Sequence, residues 1–400
     1  MKRLTIEANY LDHAQKQAEE LGFYEFPIVD ADAHYLMTPL DKLAEYVEEP
    51  WKQRLRIAVG NRKWNLIPRD LGDRTAAGRM KSLQMFSKRE KDRRLSPNEA
   101  FPLVEASAKM GIDYNVVFPT DLLTLGLTTQ EDLEKTIAFA YARWMTEEVL
   151  PSHESLLGML YLPLSDPDAC VQIIEEFADK PGVVGFMITS TRYQPVHHHC
   201  YLPMYHLLEK KKKPLAFHTV SFTLERPFQQ LNKFMSVHAL GFPLYNMIQA
   251  TNLVVNGIPE RFPDLKIIMV EAGVTWIPFL MSRLDTEYVY RSSEAPLITK
   301  LPSEYLRNFY FTSQPLEYLD NMKLMEAVFE SFDAENQLLF ATDYPHQDFD
   351  TPLTIWKLPF LSEEAKRKIL GENALKVFNI QNPKLVARKT MQNLSQSGHP

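Results

Sequence analysis

Eight short apolar runs, separated by segments of helical pattern, constrain this chain more than any other feature. They read PIVDADAH (27–34), YNVVFP (114–119), LLGMLYLPL (156–164), GVVGFMIT (182–189), PLAFHT (214–219), LKIIMVEAG (265–273), NFYFTS (308–313) and QLLFATDY (337–344). Strand-like runs alternating with helical ones describe a parallel sheet with crossover helices, and eight such units describe a closed (β/α)8 barrel. Residues 131–150, 166–180 and 201–213 have helical spacing, and Asp166 stands as an N-cap before Pro167, whose ring presets the first turn. A chain of 400 residues suits one barrel with insertions, so a single domain is expected over 1–385. The first two runs lie about 80 residues apart, far beyond an ordinary connection. Residues from about 38 to 110 are therefore expected as an insertion that caps the barrel mouth, the alternative being a surface excursion with its own small core. Residues 386–400 show no apolar periodicity and are expected to form a flexible tail.

In such a barrel the chemistry sits at the carboxyl ends of the strands, where the loops converge on one mouth. Asp30, Asp32 and His34 alternate along the first strand and are expected to point the same way. The fifth strand ends in His218, the sixth in Glu271, and the eighth in Asp343 with His346 three residues on. Each follows an apolar run that would bury it unless it faced the mouth, and an unpaired buried charge is costly. One divalent cation would satisfy them together; two carboxylates and two imidazoles suit Zn, Mn or Fe. Taken singly, each residue reads more simply as a hydrogen-bonded cap. Asp30, two residues deeper, is read as a support that hydrogen-bonds from behind the site.

Charge and composition narrow what the site can serve. A formal net charge of -7 leaves no broad basic face for nucleic acid or an anionic membrane, and Lys210 to Lys213 reads as a solvated helix end. No apolar stretch reaches the roughly 20 residues that span a bilayer, and the first residues lack a signal peptide's apolar segment, so a soluble protein is expected. Cys170 and Cys200 form neither a disulfide framework nor a CxxC motif, which suits the cytoplasm. The expected partner is a small molecule. Arg192 and Arg226 could each pair with a substrate carboxylate, the competing reading being a surface salt bridge. Among His197, His198 and His199, which cannot all face one point, His198 is assigned to substrate contact, and Phe222 to the pocket wall. His238 either faces the site or caps the next helix.

The stretches IVDADAH, AFHT, RFPDLKIIMVEAGVTWIPFLMSRLD, LLFATDYPHQD and GENALKVFNI together resemble the amidohydrolase-2 family of the metal-dependent amidohydrolase superfamily, over roughly Pro27 to Ile380. That family includes aminocarboxymuconate-semialdehyde decarboxylase and the resorcylate-type decarboxylases. The resemblance implies a (β/α)8 barrel, a homo-oligomer that is a dimer, and one metal held by Asp32, His34, His218 and Asp343. Asp32 departs from the commoner His-x-His pair, as the resorcylate-type members similarly do; a carboxylate there favours an oxygen-loving metal such as manganese, with zinc remaining open. Glu271 stands where many superfamily members have a histidine, and reads as an outer ligand or an acid/base. The fourth-strand stretch GFMITSTR offers no lysine to bridge a second ion.

Two reactions fit this set. The first expectation is hydrolysis of an amide, ester or lactone in a small, aromatic substrate by a metal-activated water, with Asp343 handling the proton and Glu271 or His346 protonating the leaving group. The alternative is non-oxidative decarboxylation of an aromatic or unsaturated acid, in which Asp343 protonates the ring carbon. A binding protein without activity is disfavoured because every expected ligand position is filled.

Overall fold

Parallel strands covered on both faces, by the barrel interior and by a helical layer, read as continuous apolar runs, and that is where the strands form. The computed structural model describes residues 10–35, 40–60, 100–192, 194–220, 226–317, 319–346 and 348–396. Its strands are β1 (Val29–Tyr35), β2 (Tyr114–Pro119), β3 (Leu156–Tyr161), β4 (Val183–Thr189), β5 (Leu215–His218), β6 (Ile267–Val270), β7 (Tyr310–Thr312) and β8 (Leu338–Leu339). Neighbours pair in chain order, all in parallel. The ring closes between β1 and the chain after β8. Ala31 N donates to Phe340 O at 2.8 Å, Asp343 N to Asp32 O at 2.8 Å, and His34 N to Tyr344 O at 2.9 Å. The fold is a (β/α)8 barrel. Asp166 caps the helix Pro167–Phe177, accepting from Ala169 N at 2.9 Å.

The alternation expected along β1 is interrupted. Asp30 pairs with Asn115 and Ala33 with Val117, so three steps on β1 match two on β2. The extra residue is a bulge, and it reverses the face on which Asp30 lies. His34 and its register partner Phe118 face inward, Phe118 lying 5.0 Å from the His218 ring. Asp30 instead shares the outer face with Asn115, whose side chain meets Ser107 of the surrounding helix Ala100–Lys109.

Three further expectations change. The supposed flexible tail is helical over Val386–Gln396, with Val386 and Ala387 buried and Ala387 N donating to Asp113 Oδ1 at 3.0 Å. Its apolar stripe is narrow, and the bond that holds it comes from a residue far away in sequence. Helix Ala100–Lys109 packs on that C-terminal helix as an ordinary crossover to β2, so the insertion ends earlier than 110. Residues 61–99, on which the cap reading falls, lie outside the described residues. Lys213 is not a solvated helix end: its Nζ donates to Val183 O at 2.7 Å from a half-buried position. Among the described residues no helix is long and apolar enough to cross a membrane.

Candidate metal centre

Strand geometry brings six of the expected residues to one place. Asp32, His34, His218 and Glu271 offer ligand atoms within 4.8 Å of one another, as do His34, Asp343 and His346. Glu271 needs help to join them. Val270 pairs with His218 and shares its inward face, so simple alternation would turn Glu271 outward. A φ of 54° returns it to the mouth, while its N–H donates to Thr312 Oγ1 at 2.9 Å. Asp343 has a φ of 60°. Left-handed backbone at non-glycine residues costs energy and gathers at functional sites, and here it shapes both strand ends.

A count of donors and acceptors tests whether the residues suit a cation. His218 Nδ1 lies 2.9 Å from the carbonyl of Thr219, which can only accept, so Nδ1 carries the hydrogen and Nε2 presents a lone pair to the site. That Nε2 lies 3.3 Å from Asp32 Oδ1 and 3.2 Å from His34 Nε2. His34 Nε2 is in turn 3.1 Å from Asp32 Oδ1 and 3.1 Å from Asp343 Oδ1. One proton on His34 cannot serve all these acceptors. Among the described residues, neither carboxylate oxygen of the fully buried Asp32 has a hydrogen bond, nor does Asp343 Oδ2. The spacings are those of donors around one ion at bond lengths of about 2.1 Å. The residues would fit a divalent cation held by Asp32, His34 and His218, with Glu271 at the edge, its Oε2 3.7 Å from His218 Nε2, and with Asp343 reaching toward the same place through its 3.1 Å approach to His34.

The electrostatics follow from burial and charge. Burial pushes Asp32 upward, and positive charge beside it, on protonated His218 and His34 or on a cation bound to their neutral rings, outweighs burial and holds the carboxyl below the usual range. Asp343 goes the other way: burial first, then the charges of Asp32, Asp348, Asp30 and Asp350, drive it well above the ordinary value. A bound cation opposes that shift. His346 Nδ1 lies 2.6 Å from Asp343 Oδ1, and its Nε2 lies 3.2 Å from Thr120 Oγ1, which is also 3.0 Å from His34 Nδ1. Thr120 was not singled out in the sequence, although it directly follows β2 and the strand-end rule covers it. Asp30 supports from behind, as expected, but from the outer face. It accepts from Asp32 N at 3.0 Å, Thr342 N at 2.9 Å and the Thr342 hydroxyl. Burial pushes its pKa up to about 7 against these bonds.

Other expected residues lie elsewhere. His198 is exposed and its Nδ1 accepts from Cys200 N, capping a short turn at His199–Tyr201 instead of facing substrate. His238 sits on the helix Phe234–Val255 with the rings of Phe234 and Phe242 at 5.3 and 4.9 Å. Phe222 lies outside the described residues. Arg192 stands at the end of β4, and Arg226 is exposed.

The amidohydrolase family model matches residues 29–380. Gamma-resorcylate decarboxylase from Polaromonas sp. (strain JS666) is 23% identical over 252 residues, covering 59% of this chain and 74% of that protein. The crystal structure of 5-carboxyvanillate decarboxylase from Sphingomonas paucimobilis superposes with a TM-score of 0.62 at 19% identity, over 89% of this chain and 100% of that one. Dihydroxybenzoic acid decarboxylase from Polaromonas sp. JS666, solved with bound manganese and the inhibitor 2-nitroresorcinol, gives a TM-score of 0.62 at 15% identity, over 90% and 99%.

Proposed function

This chain belongs to the amidohydrolase family, and on that premise we propose that it is a metal-dependent, non-oxidative decarboxylase of an aromatic acid. The observation that carries the reading is that the relatives just described act as decarboxylases, on gamma-resorcylate, 5-carboxyvanillate and dihydroxybenzoic acid by their names. Hydrolysis, the first expectation from sequence, draws no such support.

A divalent cation at the centre would supply the positive charge that binds the substrate's carboxylate and a neighbouring hydroxyl. Two carboxylates among four donors favour an oxygen-loving ion, and manganese is the ion in one of the structural relatives. The proton comes from the chain itself. Asp343, whose Oδ1 lies 2.6 Å from His346 Nδ1, takes up a proton through that contact and donates it to the ring carbon that bears the carboxylate. The bond from that carbon to the carboxylate then breaks, its electron pair returns to the ring, and carbon dioxide leaves. His346, hydrogen-bonded to Asp343 and 22% exposed, reaches both the acid and solvent and can return the proton. Glu271 takes the place of an outer ligand beside His218.

The test is manganese-loaded protein incubated with 2,6-dihydroxybenzoate and 5-carboxyvanillate in deuterated water. Release of carbon dioxide with one deuterium at the vacated carbon is expected. No carbon dioxide from any hydroxybenzoate, together with cleavage of an aryl ester, amide or lactone, would overturn the reading.

A further inference from the structure

The barrel mouth holds a second charged group that the metal centre does not use. Thr189, the last residue of β4, pairs with His218, and Ser190 N donates to His218 O at 2.8 Å. The end of β4 thus runs beside the end of β5, and Arg192 follows two residues later. Tyr161 pairs with Met187, which pairs with Ala216, two residues before His218. Residues level in a parallel sheet share a face, so Tyr161, like Thr189, is on the inward side. A methyl group built on Gly126, in the loop after β2, would meet Thr189 Oγ1 at 2.7 Å, the Tyr161 hydroxyl at 3.3 Å and Arg192 Nη1 at 3.6 Å. The guanidinium therefore lies near this wall, in a corner of the mouth it shares with Tyr161, Tyr201 and Tyr205.

Two of its donors are unspent among the described residues. Arg192 Nε and Nη1 are buried and have no partner among the described residues. Glu134, the buried carboxylate of this cluster, is already engaged: its Oε1 accepts from the Tyr161 hydroxyl at 2.6 Å and its Oε2 from Ser165 N at 3.2 Å. Buried donors without acceptors are unfavourable, and a guanidinium is the group best shaped to take a carboxylate.

We propose that Arg192 binds a second carboxylate of the substrate, the one that is not lost, so that the preferred substrates are aromatic dicarboxylates. The inference rests on reading the centre as a site for aromatic acids. Calorimetric binding to the manganese-loaded protein tests it without requiring turnover. Isophthalate, with two carboxylates, should bind roughly ten- to a hundred-fold tighter than benzoate. Arg192→Gln should bring the two probes to within about twofold of each other by weakening isophthalate alone, with metal content unchanged, and Arg192→Lys should restore part of the gap. Equal affinity of the native protein for both probes, or equal weakening of both by Arg192→Gln and Arg192→Lys, would overturn the proposal and leave Arg192 a structural residue of this wall. An isophthalate preference that depends on Arg192, in a protein that releases no carbon dioxide, would support this site while sinking the decarboxylase reading.

Discussion

One extra residue in β1 separates two acids that the sequence places side by side. Asp32 turns inward with its carboxylate oxygens unbonded among the described residues, while Asp30 turns outward and takes three hydrogen bonds, two of them from Thr342, 312 residues away. Asp30 thereby ties the strand carrying Asp32 and His34 to the segment carrying Asp343. Its replacement, Asp30→Ala, leaves two backbone N–H groups without an acceptor and should weaken metal retention about ten- to a hundred-fold. Metal per protein after dialysis against graded chelator measures this; retention equal to the native protein's would count against a positioning role. Asp343→Asn keeps the side chain's shape but removes the acid. It should lower kcat by roughly 10²- to 10⁴-fold with the circular dichroism spectrum preserved, and near-native turnover would refute the assigned proton transfer. Asp32, His34, His218 and Asp343 were legible because each is a polar residue ending an apolar run. The bulge was not, because nothing local to residues 30–33 reports the register against β2.

At the scale of elements, the helix Val386–Gln396 shows how a polar segment acquires structure from its neighbours. Asp113, just before β2, accepts from Ile28 N at 3.0 Å and from Ala387 N at 3.0 Å through separate oxygens, joining β1, β2 and the C-terminal helix. Burial raises its pKa to about 6, against the hydrogen bonds from Ile28, Ala387 and Val386. The folded chain therefore holds this proton to higher pH than the unfolded chain, whose carboxyl titrates near 4 (~3.9). Folding takes up a proton in that window, so the contribution is complete below about pH 4 and is lost as pH rises through about 6, an effect of order 2–3 kcal/mol. Asp113→Asn cannot titrate and presents only one oxygen to two donors. The decline of its Tm between about pH 4 and 6 should be shallower than the native decline, from a lower starting value. Parallel pH profiles of the two proteins would exclude Asp113 as the cause.

Across the whole molecule, the candidate ligands come from β1, β5 and the end of β8, strands that meet only because the ring closes. A bound cation is a clamp across that closure and stabilises the folded state alone. Manganese at about a hundred times its Kd should raise Tm by about 3 °C, and His218→Ala should abolish the response. A native Tm indifferent to manganese would deny the clamp. What the sequence determined by itself was the number and order of the strands, and which residues end them, because burial on both faces writes an apolar run that local reading can find. Only the tertiary structure decided which way Asp30 faces, how a left-handed φ turns Glu271 inward, and that the Asp32 carboxylate oxygens and Arg192 Nε and Nη1 meet no hydrogen-bonding partner among the described residues. Those are properties of register and enclosure, set by contacts between residues that lie far apart along the chain.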